Sequence, residues 1–341
     1  MKFLKLFISG LMLMAASLSV IAQNPLWMRY PAISPDGKTI VFSYQGDLFT
    51  VSAEGGQAVP LTMHEAYDFM PVWSPDGSLI AFASARYGNF DIFTIPAGGG
   101  KATRITDFSL NEYPNSFTPD GKEILYSSVI QDVPENVMFP SGVLTELYRV
   151  SINGQARPAQ VLSTPAEKAQ ISAGGNLIIF QDRKGYENPW RKHHTSSVAR
   201  DIWLYNKTEG SFTKLTSFDG EDRNPVFSAD EKQIYFLSEK SGSFNVWVMP
   251  VGNPDDQTQI TGFEKHPVRF LSVSDNNRLC FGYNGEIYIK DENNDPRKID
   301  VDISIDEKTN PVDFEKKSSG ASDMAVSPDG KEIAFVLRGE I

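Results

Sequence analysis

The chain has 341 residues, 40% of them apolar and 22% charged, with a net charge of −11 and a single cysteine. This composition supports a packed globular core and excludes a disordered chain. The negative balance repels phosphate backbones, so no nucleic-acid partner is expected. Cys280 has no partner for an internal disulfide and reads as small core filler in the apolar "RLCFGY".

At the N-terminus, Lys2 and Lys5 precede an apolar run from Leu6 to Ile21, with Val20 and Ala22 before a plausible cut. Residues 1–22 are therefore read as an export signal. Ser9, Gly10, Ser17 and Ser19 argue against a retained anchor, so no membrane span is expected after cleavage. No cysteine follows the run to accept a lipid. The expected location is outside the cytoplasm, and periplasmic if the cell is Gram-negative.

From residue 33, "ISPDGKTIVFSYQGDLFTV" reads as strand, tight turn, strand, short loop and strand, and "VWSPDGSLIAFASARYGNFDIFTI" at 72–95 nearly repeats it. The turn recurs as "SPDG" at 34–37 and 74–77, "TPDG" at 118–121, "SAGG" at 172–175, "SADE" at 228–231, "SDNN" at 274–277 and "SPDG" at 327–330. Proline presets the first central position and glycine takes the left-handed one that closes a hairpin. Six of the turns are followed by an apolar strand with an aromatic two positions after a polar residue: "DLFTV", "DIFTI", "ELYRV", "DIWLY", "NVWVM" and "EIYIK". Each unit closes on a polar run: "AVPLT", "ATRIT", "PAQVLS", "FTKLT", "QTQIT" and "PRKID".

Each unit thus holds four short strands in about 40 to 55 residues, with no helix between them. The expected fold is all-β, a six-bladed β-propeller of four-stranded antiparallel blades over residues 26–302. A linker is expected at 303–320, and the strands at 321–341 are read as the start of a second, incomplete propeller.

Units three and four carry insertions, "VIQDVPENVMFPSGV" at 129–143 and "DRKGYENPWRKHHTSSVAR" at 182–200. Long loops on a rigid scaffold are where function tends to sit. In the second, Trp190, Arg191, Lys192, His193 and His194 are the candidate contact residues. They suit an acidic partner, a peptide carboxylate or a neighbouring subunit, or else a solvated excursion pinned by Trp190. Adjacent histidines in an extended segment point to opposite sides, so no metal site is expected.

The loops joining one unit to the next should gather at one mouth of a central channel. They hold Asp68, Glu112, Glu167, Asp222 and Glu264, accompanied by Lys168, Arg223, His266 and Arg269. Such a rim would focus a field on an entering ligand, or it would merely cap and solvate tight turns.

Familiar catalytic patterns fail. "HEAYD" at 64–68 lacks the second histidine of a zinc-protease helix, "GGGKAT" from Gly98 lacks the full phosphate loop, and no G-x-S-x-G elbow is present. No catalytic residue and no cofactor are expected in these residues.

With the turns and D-I-F/W strands laid out, the chain resembles the tricorn protease family of bacteria and archaea, with repeats similar to those of TolB-type propellers. The order of signal, immediate six-unit array and fresh SPDG unit after a linker favours the tricorn side. The resemblance implies the N-terminal propeller of an exported serine peptidase, guiding peptides to a catalytic core outside this sequence. The implied partners are peptides and the remaining domains of the longer peptidase, and a homo-oligomer is compatible with it. The alternative is a non-enzymatic, TolB-like interaction propeller that binds a protein at the cell envelope.

Overall fold

The repeated turns are built by their own side chains. The Ser34 hydroxyl donates to Asp36 (2.6 Å) and accepts the Thr39 N–H (3.0 Å), while Asp36 also accepts the Lys38 N–H (3.1 Å). The same wiring recurs around Ser74 and Asp76, Thr118 and Asp120, and Ser228 and Asp230. Hydroxyl donation, with the backbone N–H behind it, draws the Asp76 carboxyl down to about 2. In the degenerate "SAGG" and "SDNN" turns, Ser172 and Ser274 still accept the N–H groups of Leu177 and Arg278.

A second lock recurs in four of the units, where a threonine of the closing run binds the start of the third strand. The Thr62 hydroxyl accepts the Leu48 N–H (2.9 Å) and donates to Asp47 (3.3 Å). Thr261 does the same for Val246 and Asn245, and Thr106 and Thr216 accept the N–H groups of Ile92 and Ile202. The threonine ending the closing run thus ties the fourth strand to the third.

The computed structural model describes residues 25–130, 144–154, 157–186, 188, 190, 195–305 and 318–337. Residues 1–22, read above as an export signal, and most of the first insertion fall outside the described residues. There is no helix among those described. Blade one contains Arg29–Ile33, Thr39–Tyr44, Asp47–Ser52 and Val59–Pro60, paired in that order. The next five start at Asp68–Trp73, Glu112–Phe117, Ala166–Ile171, Asp222–Phe227 and Val268–Val273, and each is likewise four-stranded and antiparallel. Each first strand neighbours the first strands of the blades on either side, so six sheets surround one axis. The fold is the expected six-bladed propeller.

The core lies in six slabs, each straddling two blades. Val41 and Leu48 of blade one meet Ile80 and Phe82 of blade two, and Leu237 and Val246 of blade five meet Leu279 and Phe281 of blade six. Fully burying one such side chain contributes about 1.5–3 kcal/mol, whereas an exposed ion pair contributes about 0–1 kcal/mol. The seams between blades therefore dominate the stability.

Every blade is a continuous stretch of chain, so the ring closes without exchanging a strand. Blade six meets blade one through Cys280, Ile287 and Ile289 packed on Ile33, Phe42 and Phe49. Beyond blade six, Val301–Asp302 pairs in parallel with Gly56–Gln57. The Met28 N–H donates to Gly285 (3.0 Å) and the Asp275 N–H to Pro35 (2.8 Å) across the same seam. Glu54 accepts from Arg278 (3.0 Å) and Arg297 (2.5 Å) at its exposed edge.

The contacts divide the chain after Ser304, and residues Ile305–Ile341 make a second unit. Its strands Ala321–Val326 and Ile333–Leu337 pair antiparallel around the last serine-aspartate turn.

Gly55 marks the tightest point of the closure. Its φ is +90°, and a Cβ there would stand 2.6 Å from the Asp300 carbonyl oxygen. Gly55→Ala combines left-handed strain with displacement of the closing strand, a cost on the order of 2 kcal/mol. The expected thermal midpoint falls by about 4–8 °C, measurable by circular dichroism; an unchanged midpoint would show that the parallel pair adds nothing to closure.

Candidate functional site: the axial channel

Each first strand carries a β-bulge, with register shifts between Arg29 and Ala32, Phe69 and Val72, Pro114 and Ser116, Glu167 and Gln170, Arg223 and Val226, and Arg269 and Ser272. A bulge re-aims a side chain and tightens the local twist. In five blades it places one residue at positive φ: Tyr30, Met70, Lys168, Asn224 and Phe270. Each stands four positions before the serine of its turn. Blade three has Pro114 there, whose ring forbids positive φ, and Asn115 reaches the axis instead.

These six residues form a waist. Tyr30 and Phe270 meet across the closure with ring centroids 4.3 Å apart. A cavity of about 410 Å³ lies on the side of the turns and one of about 350 Å³ on the side of the blade junctions, and all six waist residues line both.

The junction-side cavity is cationic and aromatic. Its charged lining is Lys168, Arg183, Arg200, Arg223 and Arg269 against Glu167. Glu167 accepts from Arg183 (2.6 Å) and Gln181 (3.0 Å), with the Arg200 Nε 3.5 Å away. Burial pushes its carboxyl up, but Arg183 and Arg200 outweigh burial and hold it below the usual range. Arg200 also donates to buried Glu221 (2.7 Å), and the Arg223 guanidinium lies 4.0 Å from the Phe244 ring centre. Burial lowers Arg223 to about 10 and Lys168 to about 8, Glu167 offsetting only part of the latter. The ammonium of Lys168 has no hydrogen bond or ion pair among the described residues.

Trp190 extends from the blade-four insertion to the opposite side of the ring. Its ring centre lies 4.9 Å from the guanidinium carbons of both Arg29 and Arg269, and its carbonyl accepts from Arg269 (3.1 Å). It meets Phe270 edge-on at 6.1 Å. Arg191, Lys192, His193 and His194 lie outside the described residues.

The junction charges separate into three groups. Glu167, Lys168, Arg223 and Arg269 line the cavity. Asp68, Glu112 and Asp222 are fully buried and stand outside that lining. Asp68 accepts from Arg86 at 2.8 Å. Asp222 is flanked by the hydroxyls of Ser238 and Thr216, yet burial raises it to about 6. Glu264 and His266 are exposed, with the His266 ring 5.8 Å from that of Tyr283. A rim of one acid per junction is therefore not the form the mouth takes: the first position of an inner strand points into the sheet, while the second position and the bulge after it face the axis. Sequence reasoning missed Tyr30, Met70, Asn115, Asn224 and Phe270 as axial residues, although the fixed distance to the turn serine was a usable signal.

The fold and channel define a class: a six-bladed propeller with an axial passage narrowed at a single waist. Residues 25–296 match the family model described as the tricorn protease N-terminal beta propeller domain. The chain belongs to that family. It is similar to a tricorn protease homolog of Saccharolobus solfataricus (26% identity over 58% of this chain and 18% of that protein). It is also similar to tricorn protease homolog 1 of Streptomyces coelicolor (23% identity over 93% of this chain and 28% of that protein). The chain therefore spans under a third of the length of either relative. Among solved structures, the tricorn protease superposes with a TM-score of 0.72 at 23% identity, covering 92% of this chain and 29% of that one. A putative TolB from Agrobacterium tumefaciens superposes at 0.55 with 19% identity, covering 77% and 84%. At these identities the superpositions speak to the fold.

Glu112 gives the site a pH signature. Burial, opposed only in part by the Thr106 hydroxyl, raises its carboxyl to about 8 from the ordinary 4.5 of an exposed glutamate. The folded chain then holds a proton that the unfolded chain releases between about pH 4.5 and 8, so this stabilisation is complete below that window and lost as pH rises through it, by up to about 1.4 kcal/mol per unit. Glu112→Gln is expected to flatten that part of the stability profile and to exceed wild type above pH 8. Urea unfolding from pH 5 to 9 checks this, and parallel profiles would show Glu112 ionised throughout.

Proposed function

We propose that this chain is the substrate-gating N-terminal propeller of an exported tricorn-like serine peptidase, passing peptides to or from a catalytic core supplied by sequence outside it. The observation that carries this reading is the axial channel: two cavities in line, separated by one ring of six side chains, in a chain that matches the tricorn N-terminal propeller over residues 25–296. Export rests on residues 1–22, and periplasmic location on a Gram-negative host. The likeness to TolB supports a second reading as an interaction propeller of the cell envelope.

The purified chain is expected to bind short fluorescent peptides, to cleave none of them, and to lose binding when the waist is filled by Asn115→Trp. Fluorescence anisotropy and a peptide-cleavage assay measure both. Robust hydrolysis by clean protein would sink the reading, and capture of one stoichiometric folded partner without affinity for peptides would favour the interaction propeller.

A further inference from the structure

Among the features that the gating reading leaves unused, the charge of the junction-side cavity stands out against that of the whole molecule. The chain is acidic, with a net charge of −11. Yet five cationic side chains and one carboxylate line this cavity. Glu221 answers Arg200 and Arg223 from behind, at 2.7 and 3.6 Å. Glu239 acts on Arg223 as well. Even with both counted, cations remain in excess. Lys168 stands at the waist, where it lines both cavities.

We propose that this cationic collar selects acidic peptide segments, seating their carboxylates between Lys168 at the waist and the arginines above it. The inference rests on the gating reading and adds a substrate class to it. Three observations support it. The half-buried Lys168 side chain lines both cavities without a hydrogen bond or ion pair to its ammonium among the described residues, and an incoming carboxylate would pair with it. Guanidinium groups bind carboxylates with two parallel hydrogen bonds in a fixed plane. Tyr30, Tyr113 and Phe270 flank the same space and supply flat walls for the rest of the peptide. Long-range repulsion from the acidic exterior would slow entry, so discrimination must come from the collar itself.

Protonation of Lys168 links binding to pH. The groups sharing its two cavities are Glu167 on its own strand, Arg183 and Arg200 from the blade-four insertion and strand ends, Arg223 and Arg269 from blades five and six, the phenols Tyr30, Tyr113 and Tyr186, and, on the turn side, the carboxylates Glu231 and Asp275. The amine of Lys168 is lowered by burial to about 8. Affinity for acidic peptides should therefore fall as pH rises through about 8, because the neutral amine no longer attracts a carboxylate.

The test is anisotropy on the full chain with acetylated, amidated peptides of equal length, rich in Asp and Glu, in Asn and Gln, or in Lys and Arg, plus a neutral peptide with a free C-terminus. The acidic peptide is expected to bind about tenfold or more tighter than the neutral amidated one, the range of a charge-assisted hydrogen bond. Lys168→Gln should remove most of that preference, and Lys168→Arg should keep it while abolishing the loss above pH 8. Circular dichroism establishes that both variants fold. Equal affinity for all amidated peptides would overturn charge selection and leave gating standing. Binding that follows only the free C-terminus would overturn selection of acidic segments. Absence of binding by every peptide would overturn both readings.

Discussion

A four-stranded sheet has two apolar faces and no means of covering either by itself, and the rest of the molecule depends on that constraint. Each blade is complete only when a neighbour stands against both its faces, as Phe82 needs Leu48 and Phe281 needs Val246. An open row of blades would leave two faces wet, so closing the ring stabilises all six at once. Because no strand is exchanged, the last seam relies on the Cys280 and Phe42 slab, on the parallel pair at Val301–Asp302, and on a glycine that lets the backbones approach. Glu54 adds little beside them, since it is two-thirds exposed and its ion pairs are screened.

The same closure creates the channel. First strands radiating from one axis bring their bulges to a common height, and the waist forms there without any loop being built for it. Five of the six bulges use a left-handed residue and the sixth, blocked by Pro114, shifts the task to Asn115. One local rule, applied once per blade, thus yields a ring whose chemistry varies around its circumference, aromatic near the seam and basic at Lys168.

Burial sorts the charges into two roles. Asp68, Asp91 and Asp47 are held inside the blades by arginine or threonine partners, where they fix strand ends. Around the axis the balance reverses, and Arg200 is kept charged despite burial because Glu167 and Glu221 flank it. Removing either carboxylate would leave a buried cation uncompensated, which costs more than the pair contributes when intact. The cationic collar is for that reason a packed part of the ring.

The sequence by itself determined the number of blades, the strands and the turns, because each is set by contacts within about 40 to 55 residues: a serine to its aspartate, a threonine to the strand before it, alternating apolar side chains along a pleat. Even degenerate turns at Ser172 and Ser274 obeyed, since each serine still accepts the backbone N–H and Asn276 takes the place of the aspartate beside Ser274. Only the tertiary structure decided which charged residues face the axis. Asp68 and Glu112 stand six positions before the turn residue and Glu167 five, a one-place offset whose meaning appears only once the strands pair around the axis: the first position stays in the sheet and the second faces the channel. Tyr30 and Phe270, or Trp190 between Arg29 and Arg269, meet only because the ring closes, and closure depends on all six seams together.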